Sequence, residues 1–319
     1  MDLRIRFLAH LEACRPDTVF YSGLVGLAGA VLTNPDAGFP LLFSAWLTPT
    51  LAWIASLYGG DYFDRDLDAQ AKPQRPIPSG RMRAETAKNL MIAYIGAGAL
   101  IAVIVNPRTI ALAVLAAAFG IAYARYLKGH GLWGNISRGL PTAAALLFGS
   151  MTVQPLPLPE LVPLALMFWI HDSGSNLLGA LCDRDGDRAG GYFTYPVRRG
   201  DEATVRALAW FYGLWVGILA LWPLTVTVDP AVYWPGALTC AALGAVSLLS
   251  VSRAPRPIPR PVGLKAHEIV VAERIILASF ITASTGQLAL ALLVACPSLA
   301  LTVLARHLMR PRYEPARRP

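Results

Sequence analysis

Long apolar runs recur along the whole chain, separated by short polar turns, at about residues 18–32, 40–58, 86–105, 109–126, 136–153, 161–181, 203–226 and 231–252. Runs of this kind suit helices that cross a bilayer. Asn34-Pro35 and Asn106-Pro107 mark tight turns between them, and Pro155, Pro157 and Pro159 mark a third. From residue 268 to 306 the chain is again almost wholly apolar. At the helical rise this is roughly 58 Å, too long for a hydrocarbon core of about 30 Å. It therefore divides near Gly286 into two spans, or forms one span and an interfacial helix after Pro297. Residues 2–15 read as a short amphipathic helix ended by Pro16, lying at the interface with Arg4, Arg6 and Arg15 near headgroups. The expected fold is all-α: a polytopic membrane helical bundle of nine or ten transmembrane helices with a polar cavity at its cytoplasmic side. It forms a single domain over 1–319, with 1–17 as the interfacial helix and 307–319 as a basic tail.

The polar interruptions carry the chemistry. The second apolar run leads into GGDYFDRDLDAQAKPQRPIPSG, residues 59–80, with Asp61, Asp64, Asp66 and Asp68. On a helix, Asp61, Asp64 and Asp68 fall at i, i+3 and i+7 and share a face. Three carboxylates on one face repel one another unless a cation sits among them, and Mg²⁺ takes such oxygens together with substrate phosphate. Lys72 and Arg75 follow, suited to the rest of a phosphate's charge. Pro76, Pro78 and Gly80 are expected to end the helix. Taken alone, a DxxxD spacing is more often a solvated helix end.

A second cluster changes that balance. The sixth run reads FWIHDSGSNLLGALCDRDGDRAGG, in which Asp172, Asn176, Asp183 and Asp187 fall within one helical face. Asp183 and Asp187 repeat the i, i+4 spacing of Asp64 and Asp68. Asp185 points elsewhere and is expected to be solvated, while Arg184, Arg188, Arg198 and Arg199 surround the cluster. Two such clusters facing each other would cage a pair of Mg²⁺ ions bridged by diphosphate. His171 and Asp172 lie roughly 22 Å of helix from Asp187, where an ionisable side chain is costly unless paired. They form either a structural His–Asp or Asp–backbone pair, or a cavity group in which Asp172 steadies a cation or helps remove a proton. Trp46, Trp53, Tyr58, Tyr123 and Trp169 flank the expected cavity, and aromatic faces attract cations, although such rings are also common in any membrane span.

Composition supports the membrane reading. Of 319 residues, 55% are apolar and only 15% charged, against about a quarter charged in a soluble domain. The four cysteines are scattered without a CxxC spacing, which excludes a disulfide framework or zinc site. No cleavable signal peptide is apparent. The net charge is +8, and the bases are concentrated in residues 59–85, 125–138, 183–202 and 253–265, with few in the alternate turns. The positive-inside rule makes these loops and the N-terminus cytoplasmic. The basic residues Arg306, Arg310, Arg312, Arg317 and Arg318 favour ten crossings over nine. The protein is expected in the cell membrane, its acidic clusters facing the cytoplasm, in contact with membrane lipid and with no nucleic-acid partner.

These residues resemble the UbiA superfamily of intramembrane prenyltransferases. GDYFDRDLDAQAKPQRPIPSG is similar to the family's NDxxDxxxD motif and its RPIPSG continuation, with Gly60 in the place of the family's leading Asn. Asp183 and Asp187 resemble the DxxxD motif, with Asn176 at an upstream polar position, and TYPVRRG resembles the TLPVxxG that follows it. AYARYLKGHGLWGNISRG is similar to the segment YSxPxxLKxxxxxGNxxxG, with Ala124 and Tyr126 replacing its Ser and Pro. ACRPDT resembles the family's N-terminal RPxx segment.

The resemblance implies a helical bundle whose lateral opening lets an isoprenoid tail lie against lipid. It implies Mg²⁺ held by Asp64, Asp68, Asp183 and Asp187, with Asp61 covering for the missing Asn and Asn176 assisting. Lys72, Arg75, Lys128, Arg138 and Arg198 would neutralise the diphosphate, with Tyr123 and Asn135 on the same side. The implied substrate is a prenyl diphosphate, from geranyl to geranylgeranyl or longer, and the reaction is transfer to an aromatic or other lipophilic acceptor. An intramembrane terpene cyclase is the alternative on the same fold. A transporter fits less well, because transport sites lie near the midplane.

Overall fold

The structure is a computed structural model that describes residues 3–313. Every regular element among these residues is helical: α1 (Leu3–Cys14), α2 (Tyr21–Thr33), α3 (Phe39–Phe63), α4 (Arg65–Ala71), α5 (Ala84–Val105), α6 (Ile110–Ala122), α7 (Leu132–Val153), α8 (Val162–Ala189), α9 (Tyr195–Leu221), α10 (Pro230–Ser252), α11 (Arg260–Ala283) and α12 (Leu288–Tyr313). Six helical segments, those containing α3, α5, α6, α9, α10 and α12, are long and apolar enough to cross a membrane on their own. The chain is an integral membrane protein of helical-bundle architecture. Helices α7, α8 and α11 are as long but carry the polar residues described below.

The long apolar stretch from residue 268 divides at Gly286, whose φ of 88° turns the chain between α11 and α12. Arg306, near the far end of α12, lies 3.8 Å from Asp17. That end of α12 therefore returns to the end of the bundle that holds the α1–α2 turn. Arg317 and Arg318 of the expected tail lie outside the described residues, and α12 continues to Tyr313 rather than ending at residue 306.

Helix α2 is the centre of the packing. It has 13 residues, about 20 Å at the helical rise and less than a bilayer core. Residues 21–31 are all buried among α3, α7 and α11. Small residues permit that approach. A Cβ on Gly29 would collide with the Leu146 carbonyl, and one on Gly149 with the Gly26 carbonyl. The helices thus meet backbone to backbone, as small residues allow in membrane bundles. At the opposite extreme, α6 has no buried residue.

Two local expectations need correction. The acidic stretch is not one helix closed by Pro76, Pro78 and Gly80. Helix α3 ends at Phe63, Asp64 has non-helical angles (φ −86°, ψ 3°), and α4 ends at Ala71. Lys72 precedes Pro73, and the residue before a proline is pushed out of the helical region; it has φ −144° and ψ 61°. Arg15 is engaged within the protein. It has a left-handed φ of 41° and turns inward to Asp61.

Candidate active site

Helices α3 to α8 and α11, with the segment joining α6 to α7, enclose a cavity of about 460 Å³. Asp64 and Asp68 from the first acidic stretch and Asp183 and Asp187 from the second all line it. Leu67 of α4 packs against Gly190, and Ala71 against Gly186, which sets α4 on the end of α8. The contact holds because a Cβ on Gly190 would strike Leu67. The adjoining loops are tied as well, with Gly131 N donating to Phe193 O at 3.2 Å.

Three of the four carboxylates are met by a base. Lys72 Nζ donates to both oxygens of Asp183 at 2.9 Å, and Arg260 stands 3.8 Å from the same group. Lys128 Nζ donates to Asp64 Oδ2 at 2.6 Å, and Arg75 Nη1 to Asp68 Oδ2 at 2.6 Å. Burial raises the Asp68 carboxyl above the usual range despite Arg75 beside it. Burial would do the same to Asp183, but Lys72, with Arg75 and Lys128 behind it, holds that group below the usual range. Asp187 lacks so close a base, and burial carries it up to about 6 against the pull of Lys128.

Among the described residues no set of three carboxylate, histidine or cysteine ligands is drawn together around one point, because the bases draw the acids apart. One observation tests whether the residues suit a cation. Asp64 Oδ1 is buried and has no hydrogen-bond partner, although its carboxylate lines the cavity. An orphaned anionic oxygen in a cavity whose wall also carries three further carboxylates offers oxygen ligands, the kind that suits a hard divalent cation.

The α6–α7 segment arrives by a π-helical turn, Tyr123–Leu127, in which Lys128 N donates to Tyr123 O at 3.0 Å. Such turns often mark functional sites. Here the turn lets both Tyr123 and Lys128 line the cavity. Asn135 Nδ2 donates to Asn176 Oδ1 at 2.8 Å, and Asn176 Nδ2 donates to the Tyr123 hydroxyl at 3.2 Å. The Asn176 amide is thus oriented by its neighbours.

Deeper in the cavity, Asp172 and His171 are both buried, but they do not pair with each other. Asp172 accepts from Arg274 Nη1 at 3.1 Å and Thr142 Oγ1 at 3.1 Å, with Arg138 at 3.8 Å. His171 points away, with Nε2 2.7 Å from Glu273 Oε2 and its ring edge-on to Trp215. This replaces the expected His–Asp or Asp–backbone pair. It also leaves Asp172 bound to cations rather than free to receive one.

Not every expected residue reaches the cavity. Asp61 is buried outside its lining, bound to Arg15 at 2.6 Å with Arg75 at 3.7 Å. Arg198 sits over the Phe193 ring, 5.9 Å from its centroid, and is not part of the lining. Arg184 turns to Asp201 and Asp185. Gly60 lines the cavity, and a Cβ there would meet nothing within 4 Å.

The sequence reading missed Arg15 and Arg274, which both line the cavity. For Arg274 a signal existed. Glu273 and Arg274 are adjacent ionisable residues inside an apolar run, and such residues are functional candidates by default.

Comparison with known proteins bears on the family and the fold. A family model described as the UbiA prenyltransferase family matches residues 19–262. A digeranylgeranylglyceryl phosphate synthase of Methanopyrus kandleri is 31% identical over 76% of this chain and 87% of its own length. The corresponding synthase of Ignicoccus hospitalis is 32% identical over 65% of this chain and 69% of its own. Among solved structures, a UbiA homolog from Archaeoglobus fulgidus bound to DMAPP and Mg²⁺ superposes with a TM-score of 0.68 over 94% of this chain and 99% of its own, at 14% identity. The apo UbiA homolog from Aeropyrum pernix K1 gives 0.71 over 82% of this chain and 96% of its own, at 16% identity. The fold is shared with these proteins.

Proposed function

The chain belongs to the UbiA prenyltransferase family, and from that premise we propose that it transfers an isoprenoid from a prenyl diphosphate to a lipophilic acceptor, in a Mg²⁺-dependent reaction at the cytoplasmic side of the membrane. One observation carries the proposal. Four aspartates from stretches more than a hundred residues apart line a single cavity, together with Lys72, Arg75 and Lys128, and one buried carboxylate oxygen has no partner.

Asp64, Asp68, Asp183 and Asp187 would hold Mg²⁺, which supplies charge neutralisation for a departing diphosphate. Lys72, Arg75 and Lys128, now on carboxylates, are within reach to turn to phosphate oxygens. Tyr123, Asn135 and Asn176 position groups beside them. Arg138 lines the same space, and Arg198 would need to swing in from Phe193 to take part. The carbon–oxygen bond of the prenyl diphosphate breaks with its electron pair leaving on the diphosphate. The acceptor's electron pair forms the new bond to the prenyl carbon, and the acceptor loses a proton. Bases fixed near the leaving group act most where negative charge develops.

Val114 of α6 lines the cavity and is also 60% exposed. That supports a lateral opening for the isoprenoid tail, in a chain length from geranyl to geranylgeranyl or longer. The relatives named for digeranylgeranylglyceryl phosphate synthesis support a lipid acceptor as readily as an aromatic one. The basic loops support the cytoplasmic orientation, and the break at Gly286 with the return of Arg306 to Asp17 supports ten crossings.

The test is one incubation. Purified protein with Mg²⁺ and geranyl, farnesyl or geranylgeranyl diphosphate is expected to release diphosphate only when an acceptor is supplied. Cyclic hydrocarbon formed without an acceptor would establish a terpene cyclase instead.

A further inference from the structure

Helix α11 packs along α8, and three of its residues, spaced seven apart, meet the acid-bearing face of α8 in order. Arg260 stands 3.8 Å from Asp183, His267 lies beside Gly179, and Arg274 Nη1 donates to Asp172 at 3.1 Å. A seven-residue interval returns to the same side of a helix. The antiparallel register that brings the two arginines onto the two aspartates therefore carries the histidine between them. On α8 the stripe facing the cavity runs Asp172, Asn176, Gly179, Asp183 and Asp187. Gly179 is its one member without a side chain, and a Cβ there would lie 3.7 Å from His267 Nε2. Helix α11 thus places a ring nitrogen against the point where α8 offers only backbone.

That point lies at the level of the bond change. Gly179 is four residues from Asp183, about 6 Å by the helical rise, and seven residues from Asp172, about 10 Å. The prenyl carbon is bonded directly to a diphosphate oxygen. With the diphosphate at the four aspartates, the reacting carbon falls just inward of them, beside Gly179 and His267. Transfer frees one proton from the acceptor, and the other groups on this wall are poorly placed to take it. The charged ones are paired: Arg274 with Asp172, Lys72 and Arg260 with Asp183. Arg306 of α12 is turned to Asp17 and to the Glu268 carbonyl, and α2 and α10, which also pack on α11, carry no charged residue. His267 is the one histidine among the described residues that line the cavity. Histidine is the side-chain type that ordinarily takes and returns a proton near neutrality.

We infer that His267 is the general base of the transfer: its imidazole accepts the proton that the acceptor loses. The inference rests on the transferase reading and adds a residue outside both acidic stretches and beyond residues 19–262, the span matched by the family model. The step balances. The carbon–oxygen bond breaks with its electron pair on the diphosphate, the acceptor's pair closes the new bond to the prenyl carbon, and the acceptor's proton moves to the lone pair of the imidazole. The imidazolium returns that proton to water at the cytoplasmic end when the diphosphate leaves.

The test separates proton transfer from binding and from folding. The full chain in detergent is given geranylgeranyl diphosphate, Mg²⁺ and whichever of geranylgeranylglyceryl phosphate and 4-hydroxybenzoate the unmodified protein prenylates. His267→Ala should lower kcat about 10²-fold or more, the range for loss of a general base, while the KM for the prenyl diphosphate stays within two-fold. Added imidazole should raise the kcat of His267→Ala ten-fold or more and leave the unmodified protein unchanged. His267→Gln keeps a polar side chain of similar length that cannot take a proton; it should be as slow, and imidazole should not rescue it. Binding of labelled prenyl diphosphate reports whether each variant keeps its site. The assignment is overturned if either variant keeps kcat within three-fold, or if His267→Ala binds the donor and stays slow with imidazole. A raised donor KM at unchanged kcat would make His267 a diphosphate contact, and loss of donor binding in both variants would make it a structural residue; either result overturns the assignment. Cyclic hydrocarbon formed by the unmodified protein from the donor alone would instead overturn the transferase reading.

Discussion

Replacing Lys72 with methionine should move two properties in opposite directions. Lys72 Nζ donates to both oxygens of Asp183 at 2.9 Å, so any cation that binds Asp183 must first displace the ammonium. A hydrogen bond to a charged group contributes about 1.5–3 kcal/mol net. Asp183 is 38% exposed at its side chain, so solvent screening places this pair at the low end. Removing about 1.4 kcal/mol of competition corresponds to roughly ten-fold tighter metal binding. Catalysis should move the other way, because Lys72 is then missing when negative charge develops on the leaving diphosphate. Loss of one such stabilising group costs roughly 10²–10³ in turnover. Mn²⁺ binding followed by electron paramagnetic resonance, without any diphosphate, measures the first effect. Diphosphate release with a saturating prenyl donor measures the second. Metal affinity unchanged within two-fold, or metal binding and turnover lost together, would refute the exchange of partners on which the argument rests.

Asp64→Ala should abolish Mg²⁺-dependent diphosphate release while leaving the thermal unfolding profile close to the parent's, since Asp64 ends α3 at the cavity wall rather than within the packed core. Gly60→Asn should fold normally, because a side chain there meets open cavity, and should lower the Mg²⁺ concentration for half-maximal turnover by adding an oxygen ligand. Gly149→Val should cost several kcal/mol, since its side chain would drive into the Gly26 backbone and cores resist overpacking; a fall in melting temperature in detergent checks it. Glu273→Ala should also destabilise, by about 1–3 kcal/mol, because it leaves the buried His171 Nε2 without its hydrogen-bond partner, again read from the melting temperature.

The order of apolar runs and the placement of acids at their ends were legible because both follow from spacing along one helix. Asp172, Asn176, Asp183 and Asp187 share a face in the sequence and line one cavity in the structure. What spacing could not show was pairing across the chain. Nothing local tells that Lys72 meets Asp183 or that Lys128 meets Asp64, at separations of 111 and 64 residues. Asp61 was misplaced because the helix was read as continuous through Asp64, where the backbone in fact leaves the helical region. The π-helical turn at Tyr123–Leu127 contains neither glycine nor proline, so no residue type announced it. Arg274 was hidden by averaging: within an apolar run, one buried guanidinium barely changes hydropathy yet decides the charge of a cavity.

That charge bears on whether an isoprenoid cation is captured by an acceptor or rearranges on its own chain. In a cyclase the positive charge migrates along the isoprenoid, away from the diphosphate, and needs carboxylates or bare aromatic faces on its way. Here the deep carboxylate, Asp172, is already engaged by Arg274. Three aromatic faces are covered too: Trp53 and Tyr123 by Arg138, at 4.4 and 5.9 Å, and Tyr21 by Arg274. With Asp172 and these rings already occupied, the deep end offers a migrating cation little free stabilisation, which favours capture by an acceptor over cyclisation.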